Sequence, residues 1–208
     1  MTARNNTGPM SDWAFRGMTW AFMLVDLFSS PNRRLARLPL EKGMTVVDYA
    51  CGPGRYCIDI ARSVGVKGKV YAVDVQPLAI RIVRVKAARQ GLANIEPVLA
   101  RAYDTGIPCS CADLVLLLDA FHQIADRPAL LREVRRMIKP NGTFLMEPGH
   151  MKLERARSIV ADNGLFVHFV TRGRDMWFSP SPAGPQPTTT SAAGLTAAPT
   201  TDDDNVAS

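Results

Sequence analysis

The sequence predicts a doubly wound α/β domain, and three observations carry that prediction. Short β-branched or aliphatic runs alternate with stretches of helical periodicity from about residue 44 to residue 164. The run Asp113-Leu-Val-Leu-Leu-Leu-Asp119 is apolar at every interior position, the pattern of a strand buried on both faces of a sheet. Two last runs, Leu165 to Val170 and Asp175 to Phe178, are joined by Thr-Arg-Gly-Arg and read as a hairpin. The expected architecture is a mostly parallel, seven-stranded sheet with helices on both faces and an antiparallel C-terminal hairpin.

Residues 1–40 read as an N-terminal helical extension. Ser11 is a candidate N-cap, and Trp13, Phe15, Met18, Trp20, Phe22, Met23, Leu24, Leu27 and Phe28 make this the most aromatic part of the chain. Such a helix packs into the core, closes over a crevice as a lid, or lies against a membrane surface or partner. Residues 31–39 read as a short basic helix leading into the first strand. That strand, Thr45 to Val47, ends on Asp48, and in the turn that follows Gly52 and Gly54 can take positive φ. Apolar residues at helical spacing fill positions 55–64, with Gly65 as the stop. Lys69 to Asp74 is the second strand. Pro77 opens a helix with Leu78, Ile82 and Val85 on its apolar face, and Gly91 ends it. Ile95 to Ala100 is the third strand. Asp126 caps a helix carrying Leu130, Leu131, Val134, Met137 and Ile138, and Lys139-Pro-Asn-Gly turns into a fifth strand, Thr143 to Met146. Leu153, Ala156, Ile159 and Val160 mark a further helix closed by Asn163-Gly164. The main domain therefore spans residues 41–180, and the Pro-, Thr-, Ala- and Ser-rich stretch 181–208 is expected to be a disordered tail.

A chain of 208 residues with 47% hydrophobic content buries a sizeable core in one domain. No stretch reaches the roughly 18 apolar residues of a membrane span, and the amino terminus lacks the apolar region of a signal peptide. Cys51, Cys57, Cys109 and Cys111 form no CxxC pair, which suits reduced thiols and a cytoplasmic location. Cys109-Ser-Cys111 alone is too few ligands for a zinc site, so no metal is expected. The tail has three acids and no Lys or Arg, so the net +6 of the chain becomes +9 over residues 1–180. That balance favours anionic partners and keeps nucleic acid open as a substrate.

The stretch Val47-Asp48-Tyr49-Ala50-Cys51-Gly52-Pro53-Gly54 is a strand end followed by a small-residue turn and a helix start, where backbone N–H groups face a ligand. A dinucleotide fingerprint fails here, because the position of its third glycine is Cys57. The stretch resembles motif I of the class I S-adenosylmethionine-dependent methyltransferases, with Ala50 at the first glycine. Lys69-Val-Tyr-Ala-Val-Asp-Val-Gln-Pro77 resembles that family's second motif, Ala112 to His122 its fourth, and Leu131 to Gly142 its Leu-x-Glu-x-x-Arg-x-Leu-Lys-Pro-Gly-Gly turn. The style is that of the small-molecule methyltransferases similar to the ubiquinone and menaquinone biosynthesis enzymes. The resemblance implies a Rossmann-like fold and S-adenosyl-L-methionine as cofactor, released as S-adenosyl-L-homocysteine.

It also implies roles. The backbone of Ala50, Cys51, Gly52 and Gly54 would pack on the methionine and ribose, and Asp48 would orient the ammonium group. Asp74 would accept both ribose hydroxyls, with Val75 and Gln76 beside the adenine, and Asp119 would border the methionine end. Where many relatives place an acid after the third strand, this chain has Ala100-Arg101-Ala102, and Arg101 cannot accept a hydrogen bond. Adenine recognition would then fall to backbone at Ala102, to Asp104, or to stacking on Tyr103.

Methyl transfer from a sulfonium needs alignment and exclusion of water more than side-chain chemistry. A base is required only for an acceptor protonated at neutral pH. His122, just past the fourth strand, is the best candidate, ahead of Glu147 and His150; a packing or hydrogen-bonding histidine is the plainer reading. The expected activity is methylation of a small apolar or aromatic acceptor. The alternatives are an RNA methyltransferase and a non-catalytic S-adenosylmethionine-binding domain. Against RNA, Asp119-Ala-Phe-His stands where an Asn/Asp-Pro-Pro-aromatic motif would serve base methylation.

Overall fold

The computed structural model describes residues 32–182, together with Ser11, Trp13 and Gly17. Its elements follow the alternation of the sequence. A one-turn helix α1 (Asn32–Leu35) precedes β1 (Thr45–Tyr49), α2 (Cys57–Val64), β2 (Lys69–Asp74), α3 (Pro77–Arg89), β3 (Ile95–Leu99) and β4 (Ala112–Leu118). A 3-10 turn (Phe121–Gln123) leads to α4 (Arg127–Met137), β5 (Ile138–Glu147), α5 (Leu153–Asp162), β6 (Phe166–Arg172) and β7 (Asp175–Pro180). The seven strands lie in the order β3-β2-β1-β4-β5-β7-β6. The first five are parallel, and β7 runs antiparallel to both β5 and β6. This is the doubly wound sheet with a closing hairpin that the alternation predicts.

Alternating side chains of the central strands divide the core into two layers. Val47, Tyr49, Val115, Leu117, Phe144 and Phe178 pack with Leu130, Leu131 and Val134 of α4 and with Ala156 and Val160 of α5. Val46, Val70, Leu114, Leu116 and Leu145 pack with Ile60 and Val64 of α2 and with Val83 and Ala87 of α3. Asp126 caps α4 as its sequence position predicts, accepting the Ala129 N–H at 2.9 Å. Gly65 and Gly164 follow α2 and α5 with φ of 70° and 71°. Asp113 joins three strands: its carboxylate accepts the Thr45 N–H at 2.8 Å and pairs with Lys139 at 2.6 Å. No helix among the described residues is long and apolar enough to cross a membrane.

Two details differ from the sequence reading. The buried face of α3 is Ala79, Ile80, Val83 and Ala87, whereas Leu78 and Ile82 are half-buried and Val85 is 48% exposed. The small alanines let the helix approach the sheet closely, and that proximity outweighs the larger side chains in setting its rotation. Lys139 to Gly142 is not a separate turn but part of β5, which pairs with β4 at Ala112–Ile138 and again at Leu114–Thr143 across a register shift. A bulge takes up the extra residues while the backbone stays in the ladder. The N-terminal extension before residue 32 lies outside the described residues except for Ser11, Trp13 and Gly17, of which Trp13 is 86% exposed, and so does the tail beyond residue 182. The short basic segment appears only as α1, where Arg34 pairs with Asp175 at 2.6 Å.

Gly142 has no room for a side chain, because a Cβ there would lie 2.7 Å from Ile138 Cγ1 and 2.9 Å from the Ala112 carbonyl oxygen. The Gly142→Ala variant is expected to lose about 1–3 kcal/mol in urea denaturation, the usual cost of overpacking. An unchanged midpoint would show that the bulge relaxes freely.

Candidate functional site

Parallel pairing sets Asp48 opposite Ala72 and Tyr49 opposite Val73, so the loops leaving β1 and β2 rise side by side at one edge of the sheet. The first loop is tightly wound. Ala50, Gly52 and Gly54 all have positive φ, at 61°, 53° and 73°. The Cys51 N–H donates to the Val73 carbonyl at 2.9 Å, and the Gly54 N–H to the Cys51 carbonyl at 3.0 Å. Gly54 faces α3, and a Cβ on it would meet Val83 Cγ2 at 2.8 Å. Gly52 has the opposite surroundings, with nothing within 4 Å of such a Cβ. The loop is thus closed toward the helix and open on its other side.

Asp74 joins the two loops. Its Oδ2 accepts the Gly52 N–H at 2.8 Å and its Oδ1 accepts the Gln76 N–H at 2.8 Å. Burial pushes its carboxyl up from the ordinary aspartate value, against the pull of these backbone N–H groups. Each oxygen keeps a lone pair for a further donor. Beneath the loop, Asp48 is 2% exposed and accepts a hydrogen bond from Cys57 Sγ at 3.1 Å. Burial raises Asp48 to about 6, the Cys57 thiol pulls the other way, and the charge of Asp74 adds to the rise. The hydrogen bond with Cys51, together with burial, pushes the Cys57 thiol well up.

Ala102 and Tyr103 form the tip of a tight turn in which Arg101 and Asp104 exchange backbone hydrogen bonds at 2.9 and 3.1 Å. Ala102 has φ of 55°. The Tyr49 hydroxyl donates to the Tyr103 carbonyl at 3.3 Å, and the Tyr103 hydroxyl accepts the Asp126 N–H at 2.8 Å. Asp104 turns back to accept the Gly106 N–H at 3.0 Å. The ring of Tyr103 is therefore anchored between the end of β1 and the start of α4. Glu133 and Arg136 of the Leu131–Gly142 motif hold the next part of this loop. Glu133 accepts the Thr105 N–H and hydroxyl at 3.1 and 2.5 Å, and Arg136 donates to the Ile107 carbonyl at 2.6 Å. Burial works to raise Glu133, but its bonds with Arg136 and Thr105 outweigh it and hold the acid below its ordinary value.

Asp119 and His122 form a second group beside the first, since β1 pairs with β4. Asp119 has φ of 56°, and its N–H donates to the Glu147 carbonyl at 3.1 Å. The His122 and His150 rings meet edge to face with centroids 5.0 Å apart. His122 Nδ1 is buried without a hydrogen-bond partner among the described residues. Gly149 allows this approach, because a Cβ there would overlap the His122 ring. Arg174 fixes the segment from the far side: it donates to Glu147 Oε1 at 2.8 Å, to the Gly149 carbonyl, and to the Met151 carbonyl at 3.1 Å. Among the described residues no cluster of three or more His, Cys, Asp or Glu side chains could hold a metal ion, and Cys109 Sγ instead meets Arg136 at 3.3 Å.

Three contributors escaped the sequence reading. Cys57 supports Asp48, Lys86 donates to the Pro53 carbonyl at 2.7 Å, and Arg174 clamps the end of β5. Lys86 and Arg174 stand 33 and 27 residues from their partners, and nothing local in the sequence marks them.

The sequence profile of the family described as Methyltransferase domain matches residues 40–171. A demethylmenaquinone methyltransferase of Geobacillus stearothermophilus is 28% identical over 108 residues, 52% of this chain and 46% of its own length. The chain thus spans about half the length of the curated relatives it matches. A solved S-adenosylmethionine-dependent methyltransferase of Aquifex aeolicus superposes with a TM-score of 0.63 at 24% identity, covering 73% of this chain and 88% of that one. The PH0226 protein of Pyrococcus horikoshii OT3 gives a TM-score of 0.59 at 17% identity, covering 76% and 91%. At these identities the two structures speak for the fold.

Asp48 gives a stability test with a defined sign. An acid raised from 3.8 to about 6 on folding binds its proton more tightly in the native state, so its contribution to stability is present in acid and is lost as pH rises from about 4 to about 6. The Asp48→Asn variant is expected to gain on the parent across that window, by roughly 2–3 kcal/mol at pH 8. Urea denaturation of both proteins from pH 4 to pH 8 measures the difference, and a difference flat with pH would show that Asp48 is not shifted.

Proposed function

The chain belongs to the Methyltransferase domain family, and on that premise we propose that it is an S-adenosylmethionine-dependent methyltransferase acting on a small apolar or aromatic acceptor. One observation carries the reading. Asp74, at the tip of β2, accepts the Gly52 N–H and keeps acceptor capacity for a further donor, and the space beside Gly52 is open. That arrangement suits a ribose whose two hydroxyls donate to one carboxylate.

In this reading Asp74 takes the ribose, and Ala50, Cys51, Gly52 and Gly54 line the ribose and methionine through their backbone. Val75 and Gln76 lie beside the adenine, with Ala102 and Tyr103 on its other flank. Asp48 and Asp119 border the methionine end. When bound, the cofactor supplies an activated methyl group on a cationic sulfur. The residues of this chain position it, exclude water and place the acceptor in line. His122 is the candidate to take a proton from the acceptor, a reading supported by an Nδ1 that makes no hydrogen bond with other described residues. The acceptor class rests on the name of the curated relatives, demethylmenaquinone methyltransferase. The RNA alternative has net charge behind it but no motif at Asp119 to His122.

Calorimetry with S-adenosylmethionine and S-adenosylhomocysteine tests the reading directly. Affinities on the order of micromolar are expected, and Asp74→Ala is expected to weaken them at least about tenfold, the usual loss for a hydrogen-bonded charge. If neither ligand binds, the enzyme reading falls. If both bind but no methyl is transferred to any quinol or phenol in an acceptor panel, the chain is a cofactor-binding domain without this activity.

A further inference from the structure

The opposite end of the sheet carries an open groove. Ser110 just before β4, Arg132, Arg135 and Arg136 in the last two turns of α4, and Leu165 just before β6 line an open groove of about 370 Å³. These residues lie at the amino ends of the strands, whereas Asp48, Asp74 and Asp119 lie at the carboxyl ends. A seven-residue strand such as β4 separates the two ends by roughly 20 Å, so ligands at both would not touch.

The three arginines are not equivalent. Arg136 is matched by Glu133 at 2.7 Å and also donates to the Ile107 carbonyl and to Cys109. It serves the loop and, in the last turn, the helix dipole. Arg132 and Arg135 make no hydrogen bond or ion pair with other described residues, and Arg135 Nε is shielded from water without a partner. A guanidinium nitrogen in that position lacks an acceptor that neighbouring protein does not provide. Glu133 is engaged with Arg136 and Thr105, Asp126 with the Ala129 N–H, and Asp113 with Lys139 and the Thr45 N–H, so none of these acids pairs with Arg132 or Arg135. Ser110 holds φ of 49°, fixed by its N–H bond to the Arg136 carbonyl at 2.8 Å, and its hydroxyl has no partner among the described residues. A non-glycine residue in that conformation is strained, a feature that clusters at ligand sites.

We propose that this groove binds the phosphate group of a small phosphorylated molecule. Two unmatched guanidinium forks and a free hydroxyl match a tetrahedral dianion better than a single carboxylate, because a phosphate monoester carries about −1.5 to −2 at neutral pH and accepts bidentate bonds. The groove falls in the usual size range of small-ligand sites, roughly 300–1,000 Å³, and so accommodates more than a bare ion. Leu165 provides an apolar wall for the remainder of the molecule. Binding here leaves the crevice above β1 and β2 free.

Calorimetric titration of the full chain with inorganic phosphate and with phenyl phosphate at near-physiological salt tests the proposal. Saturable one-to-one binding is expected, tighter for phenyl phosphate, and at least tenfold weaker in both Arg135→Gln and Arg132→Gln. The Kd of S-adenosylmethionine should stay within twofold of the parent in both variants. Absence of saturable binding, or binding unchanged in Arg132→Gln, overturns the proposal. Arg132 is exposed, so that variant stays informative even if Arg135→Gln unfolds. A short single-stranded RNA that binds through these arginines while neither phosphate compound does would also overturn it, in favour of a nucleic-acid surface. Failure of S-adenosylmethionine to bind would count against the proposed enzyme and leave the phosphate site standing.

Discussion

The two hydrogen bonds that the Asp74 carboxylate accepts from the Gly52 and Gln76 N–H groups set the form of the crevice. The first binds the loop after β1 to the loop after β2 across 22 residues of sequence and rests on the parallel register that places Tyr49 opposite Val73, and the second fixes the carboxylate on its own loop. Without that register the carboxylate could not reach the Gly52 amide. The loop also pays a conformational cost, since Ala50 sits at φ of 61°, where an L-residue is disfavoured by roughly 1–2 kcal/mol. The Asp74 bonds and the close fit of Gly54 under Val83 offset it. The sheet thus fixes the loops, and the loops fix the open surface where the proposed cofactor would lie.

The same loop concentrates negative charge. Asp48 and Asp74 are close enough that the charge of one raises the pKa of the other, and burial raises both. Two carboxylates so placed disfavour each other's charge. Under the proposed function the pair becomes useful, because a sulfonium and an ammonium both bring positive charge to this place. Under that proposal, strain at Ala50 and burial at Asp48 fall in the same loop that would receive the cationic ligand.

How much of this was legible depends on how local the cause is. The strand at 45–49, its glycine turn and Asp74 were readable because a β-branched run, two glycines and a spacing suffice to define them. The Asp126 cap and the closing hairpin were legible for the same reason. The rotation of α3 was not: Leu78, Ile82 and Val85 looked like its inner face, but the inner side must clear Gly54 and so falls on Ala79, Val83 and Ala87. Lys139 to Gly142 looked like a turn, and only the pairing of Ile138 with Ala112 shows that the ladder continues through it. Lys86 and Arg174 were invisible because each reaches a backbone carbonyl or a carboxylate far away in sequence.

Net charge alone would mislead about the crevice. Residues 1–180 carry +9, which would repel a cationic cofactor if that charge were spread evenly. It is not. The carboxyl end of the sheet carries Asp74 and Asp119, with Asp48 buried beneath the loop, while Arg132, Arg135 and Arg136 stand at the amino end. The separation of roughly 20 Å is about twice the screening length at physiological salt, so neither end feels much of the other. Under the two proposals one small domain holds a cation site and an anion site at once, with Arg132 and Arg135 serving the second.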